Sequence, residues 1–332
     1  MSSILALARS RVLFLRPLKA DTRRWMSVRP EEAANPSRRK KVTIQHLQQM
    51  RRAGVPITML TAYDYPTGRA CEAHGVDITL VGDSLAQVCL GYDSTTRLTL
   101  DEMIHHCRAV SRGSKSPLLV GDMPFGSYHA SIDDAVRNAI RMVREGGVEA
   151  VKMEASWEGA ETVRKLSAIG IPVMGHVGLM PQRHTFFSGY RVQGKTADCA
   201  LEIVQGALAL QEAGAFAIVL EAIPRLLGSY ITKQLDIPTI GIGAGAQTDG
   251  QVLVWDDVMS TWGGHKAKFV RQFGNVKGEV ETAVKSFSHA IRDRSFPNDS
   301  ESYAMPEEEW MKFLELAEKE GLRGDASVPV RG

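Results

Sequence analysis

Short, mainly apolar runs recur along the chain at residues 57–63, 78–81, 117–120, 150–153, 172–175, 216–220 and 238–242, with a weaker eighth near 252–254. Between them, apolar residues return every three or four positions, the spacing that lays a stripe along one helix face. The clearest stripe is Ile132, Ala135, Val136, Ala139, Ile140 and Val143 within 131–146. Ser131 can cap that helix, with Asp134 three residues on, and Gly146-Gly147 can stop it. Thr99 and Glu102 open a second helix carrying Met103, Ile104, Cys107 and Val110. Leu201, Val204 and Leu208 stripe a third that ends near Gly214, and a short helix at 45–53 precedes the first apolar run. Runs that are apolar without alternation fit strands covered on both faces, and strands alternating with helices predict a parallel sheet. Eight such units in about 250 residues predict an α/β fold, a (β/α)₈ TIM barrel. An open, doubly wound sheet is the alternative, and 182–195 reads as a long loop.

Composition changes this picture at the two ends. The 332 residues are 44% hydrophobic and 23% charged, ordinary for a globular chain. The net charge of +2 is unevenly spread, because the first 30 residues hold seven basic side chains and one acid. Without them, 33 Lys and Arg (40 less seven) face 37 Asp and Glu (38 less one), so the body lacks the charge of a nucleic-acid binder. The Arg-rich, acid-poor leader has the composition of a mitochondrial transit peptide, and import to the matrix is expected. Arg9, Arg11 and Arg16 interrupt any secretory apolar stretch. The expected division is a leader at 1–40, a catalytic barrel at 41–304 and an acidic helical extension at 305–332. No apolar run approaches the roughly 20 residues of a membrane span. Cys71, Cys89, Cys107 and Cys199 form no CxxC pair, so neither a disulfide framework nor a zinc site is expected.

The chemistry lies at the strand ends, where barrels build active sites. Tyr63-Asp64 closes the first strand, Asp83 the second and Asp122 the third. The fourth ends Lys152-Met153-Glu154, the fifth leads into His176 and the sixth ends on Glu221. Any one Asp here could be a helix cap, and Asp64 reads as one. Asp83, Asp122 and Glu154 together would be three like charges in one mouth, each raising the others' pKa. A hard divalent cation such as Mg²⁺, bound by oxygen ligands and some waters, would offset that repulsion. Lys152 and Glu154 are two apart on a strand and share a face, so they could pair; Lys152 could equally hold an oxyanion. Burial of Glu221 after its apolar run would raise its pKa toward that of a general base, or it could pair with Arg225. These residue types point to metal-assisted enolate chemistry on a barrel, of the kind a chelated 2-oxo acid would undergo, and name no substrate. The glycine-rich 240–245 follows the seventh strand, as a phosphate cradle would, or as tight packing would require.

In order along 42–303 the chain carries LTAYD (60–64), LVGDSL (80–85), GYDST (91–95), GDMPF (121–125), VKME (151–154), GHVGLMPQ (175–182), GYRVQG (189–194), VLEAIP (219–224), IGIGAG (240–245) and DGQVLV (249–254). As a set these resemble the ketopantoate hydroxymethyltransferase family of pantothenate biosynthesis. The resemblance implies a barrel of the phosphoenolpyruvate/pyruvate type and Mg²⁺ around Asp83, Asp122 and Glu154, in part through water. It implies 3-methyl-2-oxobutanoate bound by Asp83, Ser84, Asp122 and Lys152, with Glu221 as proton acceptor and His176 as an active-site histidine. It implies 5,10-methylenetetrahydrofolate as one-carbon donor, 2-dehydropantoate as product, and a homo-oligomer, often a decamer. Two departures stand out: Ala155-Ser156 where many members carry Gly-Gly, and Lys266-Ala267-Lys268 where many carry a proline before the lysine. Both leave the metal and base positions intact. Two other readings remain beside this one: a folate-independent Mg²⁺ lyase or mutase on the same barrel, and an inactive barrel kept as a binding subunit.

Overall fold

The computed structural model describes residues 39–322 apart from residue 265; the leader and the last ten residues lie outside it. Eight parallel strands close in sequence order into a barrel. They are β1 (Ile57–Thr61), β2 (Ile78–Val81), β3 (Leu118–Asp122), β4 (Ala150–Glu154), β5 (Val173–Gly178), β6 (Ala217–Glu221), β7 (Thr239–Ile242) and β8 (Gly250–Leu253). Closure comes from β8 pairing with β1, Gly250 opposite Ile57, which removes the open-sheet alternative. The eighth strand begins two residues before its apolar run. Its first position admits only glycine, since a Cβ on Gly250 would lie 2.5 Å from the Ile57 carbonyl oxygen.

Two apolar clusters divide the strand residues by the two-residue period of a strand. Ile78, Leu80, Leu118, Val120, Ala150, Met174, Ala217 and Val219 fill the barrel interior. Val81, Leu119, Val151, Met153, Val173, Ile218 and Leu220 face the helices. Continuing the interior parity to the C-terminal ends puts Asp122, Lys152, Glu154, His176 and Glu221 on the inner face. Val42 and Leu47, from the helix Ile44–Arg52 and the residues before it, join the interior cluster and close the opposite, N-terminal end.

The helices follow their sequence signals. Thr99 and Glu102 form a capping box at the start of Leu100–Gly113. Ser131 caps Ile132–Arg141, which runs on through one π-type turn, Met142–Gly146, to a left-handed Gly147. Asp64 is likewise a cap, in a reciprocal box with Thr67. Residues 243–249 join β7 to β8 without a helix. Their glycines serve packing: a Cβ on Gly243 would strike the Phe269 ring at 2.6 Å, and one on Gly245 the Arg225 side chain at 2.6 Å. That favours the packing reading of 240–245 over the phosphate cradle. The helices Val276–Arg292 and Glu307–Lys319 have no buried residue.

Candidate active site

A cavity of about 190 Å³ opens at the C-terminal ends of the strands, lined by Asp83, Ser84, Asp122, Lys152, Glu154, His176 and Glu221 among others. Every ionisable residue expected at the site therefore meets in one place, and Asp64, the cap, is not among them. Strand register explains part of the meeting. Asp122 pairs with Lys152 across β3 and β4, and Glu154 with His176 across β4 and β5.

The charges are arranged in two groups. In the first, Lys152 Nζ lies 2.8 Å from Asp122 Oδ1, with both side chains buried. Lysine thus pairs with the neighbouring strand's aspartate, and the Glu154 pairing considered from sequence is not made. Asp122 Oδ2 accepts the backbone N–H of Asp83 at 3.0 Å. Burial, reinforced by the Asp122 charge, pushes the Asp83 carboxyl up to about 7. Burial and the Asp83 charge push Glu154 well above the usual carboxylate range. Burial alone would lower the Lys152 pKa, but the charges of Asp122, Asp83 and Glu154 outweigh it and raise the ammonium's pKa.

In the second group, His176 Nδ1 lies 3.4 Å from Lys152 Nζ and Nε2 lies 3.2 Å from Glu221 Oε2. Burial and the Lys152 charge lower the imidazole pKa, so the ring is neutral at pH 7. With Nδ1 turned toward an ammonium, the network assigns the ring proton to Nε2, which faces Glu221 at 3.2 Å without being aligned as a hydrogen bond. The Glu221 side chain keeps 15% exposure, so its burial is partial, and its neighbour at 3.2 Å is the neutral His176 ring.

Sequence reasoning passed over Gln182. Its side-chain N–H donates to Asp83 Oδ2 at 2.8 Å and to the Met123 carbonyl at 3.0 Å. Its backbone N–H donates to both Glu154 oxygens, at 3.2 and 3.0 Å. The Tyr128 hydroxyl donates to Gln182 Oε1 at 2.6 Å and so fixes which way the amide faces. An uncharged residue in a long loop gives no ionisable signal; its one cue was its place after Pro181 at the end of the fifth strand's motif.

The donor set fits a hard cation. Burial first, and neighbouring carboxylates second, raise the pKa of two carboxylates here, and a cation between them would relieve both effects. Asp122 Oδ1 is buried and makes no hydrogen bond despite its nearby lysine. Among the described residues no three His, Cys, Asp or Glu side chains converge closely enough to hold a metal ion between them. Mg²⁺ tolerates that, since it usually retains several waters.

Residues 41–299 match the model of the family described as ketopantoate hydroxymethyltransferase. The chain belongs to that family. Two relatives, each a 3-methyl-2-oxobutanoate hydroxymethyltransferase, illustrate the similarity. That of Emericella nidulans is 44% identical over 298 residues, 89% of this chain and 85% of its own. That of Deinococcus radiodurans is 51% identical over 257 residues, 77% and 90%. Membership makes the chain an enzyme of the transferase class, with the family's hydroxymethyl transfer as its activity. Among solved structures, a phosphonopyruvate hydrolase complexed with oxalate and Mg²⁺ superposes with TM-score 0.51 at 14% identity, over 84% of this chain and 99% of that one. A 2,3-dimethylmalate lyase of the PEP mutase/isocitrate lyase superfamily gives TM-score 0.51 at 17% identity, over 84% and 96%. At such identities these two share the barrel alone, and the lyase or mutase reading gains nothing from them.

Proposed function

We propose that the chain transfers a hydroxymethyl group from 5,10-methylenetetrahydrofolate to C3 of 3-methyl-2-oxobutanoate, giving 2-dehydropantoate. The observation that carries this reading is His176 set between Lys152 and Glu221, 3.4 and 3.2 Å away, so that a cation and a carboxylate flank one ring in the same small cavity. Asp83 and Asp122 would hold Mg²⁺ directly through the oxygens that Gln182 and the backbone leave free. Glu154, with both oxygens on the Gln182 N–H, would act through water. When bound, the cation supplies positive charge beside the keto and carboxylate oxygens of the oxo acid, which acidifies the C3 proton. Glu221 takes that proton, and His176 orients the carboxylate that does so. Lys152 donates toward the keto oxygen as negative charge builds there. Ser84, with Asp83 and Asp122 beside it, fixes the acid. C3 then bonds to the one-carbon unit as its two C–N bonds to the folate break; one water supplies the new hydroxyl, and its remaining proton and the one taken from C3 go to the two folate nitrogens.

Assembly is part of this reading. Val280, Val284, Phe287 and Ile291 make one stripe along the helix Val276–Arg292, and all four are exposed in the single chain. A stripe of that kind calls for a covering partner, which supports a homo-oligomer, a decamer by family resemblance. Matrix localisation rests on the composition of the leader.

The test is proton exchange at C3 of 3-methyl-2-oxobutanoate, followed by NMR in D₂O with and without Mg²⁺ and tetrahydrofolate. Metal-dependent exchange is the expected result. Folded protein that exchanges no C3 proton under any condition would sink the proposal.

A further inference from the structure

One polar chain beside the cavity has a fixed direction. The Trp255 backbone N–H, which can only donate, gives its hydrogen to Thr61 Oγ1 at 2.7 Å. The Thr61 hydroxyl donates to the Tyr63 oxygen at 2.8 Å. Tyr63, having accepted there, has its own O–H left for Ser84 Oγ, 2.8 Å away. Thr61 and Tyr63 are both 3% exposed, so no water is at hand to reverse either link. Burial raises the Tyr63 pKa, and the phenol stays a donor. Ser84 begins a short helix yet makes no side-chain capping bond, and it lines the cavity. Its hydroxyl proton is therefore the one free end of the chain.

We propose that Thr61 and Tyr63 are positioning residues that turn the Ser84 hydroxyl into an obligatory donor aimed at the bound acid's carboxylate. The cavity explains the need. Four carboxylates line it against one lysine, and a serine free to rotate would donate to one of them. A serine whose oxygen accepts from Tyr63 cannot spend its proton on Tyr63, and so keeps it for the ligand. A hydrogen bond to an ionised acceptor is stronger than a neutral one, so fixing that donor raises affinity for the anion. This rests on the placement of the oxo acid at Ser84 proposed above.

The experiment is a double-mutant cycle, read as the dissociation constant of 3-methyl-2-oxobutanoate by calorimetry with Mg²⁺ present. Ser84→Ala should weaken binding about tenfold. Tyr63→Phe should weaken it about three- to tenfold in the parent and less than twofold on top of Ser84→Ala. Thr61→Val should repeat the Tyr63→Phe loss, whereas Thr61→Ser, which keeps the hydroxyl, should bind as the parent does; this pair stands if Tyr63→Phe fails to fold. The relay is refuted if Tyr63→Phe costs nothing, or costs the same factor with and without Ser84. Equal binding by Ser84→Ala and the parent would instead overturn the placement of the acid, and the relay with it.

Discussion

The imidazole of His176 stands 3.2 Å from the carboxylate of Glu221, at the ends of adjacent strands β5 and β6. A neutral ring brings a single N–H to face that carboxylate, and a small rotation would align the two as a hydrogen bond that holds a base in place.

Glu221→Gln should therefore lower C3 proton exchange by about 10²–10⁴-fold, the usual worth of a positioned base. Binding of the oxo acid, measured by calorimetry, should persist. His176→Asn should cost less, about tenfold, because it removes orientation rather than the base. Undiminished exchange in Glu221→Gln would assign the proton to another group.

Asp83→Ala and Asp122→Ala should each raise the dissociation constant for Mn²⁺, read by electron paramagnetic resonance, by about tenfold or more. Gln182→Met keeps the bulk but loses the side-chain bond that fixes Asp83. Groups that orient metal ligands typically contribute 10–100-fold in affinity, and a loss in that range is expected here. Parent-like affinity in both aspartate variants would put the cation elsewhere.

Lys152 is buried beside Asp122, with side-chain exposures of 8% and 4%. Removing one member of such a pair strands the other charge, at a cost of about 3–5 kcal/mol. Lys152→Met should show a loss of this size in urea unfolding without Mg²⁺. Adding Asp122→Leu should recover much of it, and strict additivity of the two changes would argue that the pair is not coupled.

Gly178 ends β5 at a φ of +96°, and a Cβ there would lie 2.3 Å from the Glu221 carbonyl oxygen. Gly178→Ala should cost about 2 kcal/mol or more in stability, since left-handed backbone and a backbone clash coincide. It should also slow C3 exchange by displacing the strand end that carries Glu221. A urea midpoint equal to the parent's would show that the two strands part easily.

Residues 1–35 fused to a fluorescent reporter should carry it into mitochondria, as the leader's seven basic side chains and single acid suggest. A reporter left in the cytosol would reduce the leader to a basic tail.

Much of the barrel was legible because its signals are local. Unbroken apolar runs mark β2 and β6, and the Thr99, Ser131 and Asp64 caps sit where their side-chain types indicate. The eighth strand was misplaced by two residues because Gly250 and Gln251 carry no apolar signal. Gly250 is in the sheet because Ile57 and Ile240 leave it no room for a side chain.

At the site, the period of two along a strand determined from sequence alone that Lys152 and Glu154 share a face, and strand-end position selected Asp83, Asp122, His176 and Glu221. Which charge pairs with which was settled only by the closed barrel. Register across β3 and β4 gave Lys152 to Asp122; register across β4, β5 and β6 sets His176 opposite Glu154 and Val219, and side-chain reach brings its ring between Lys152 and Glu221. Gln182 and the Thr61–Tyr63–Ser84 chain belong wholly to the tertiary structure. Their roles come from hydrogen-bond direction between segments distant in sequence, and a hydrogen bond's direction depends on where both partners' atoms lie.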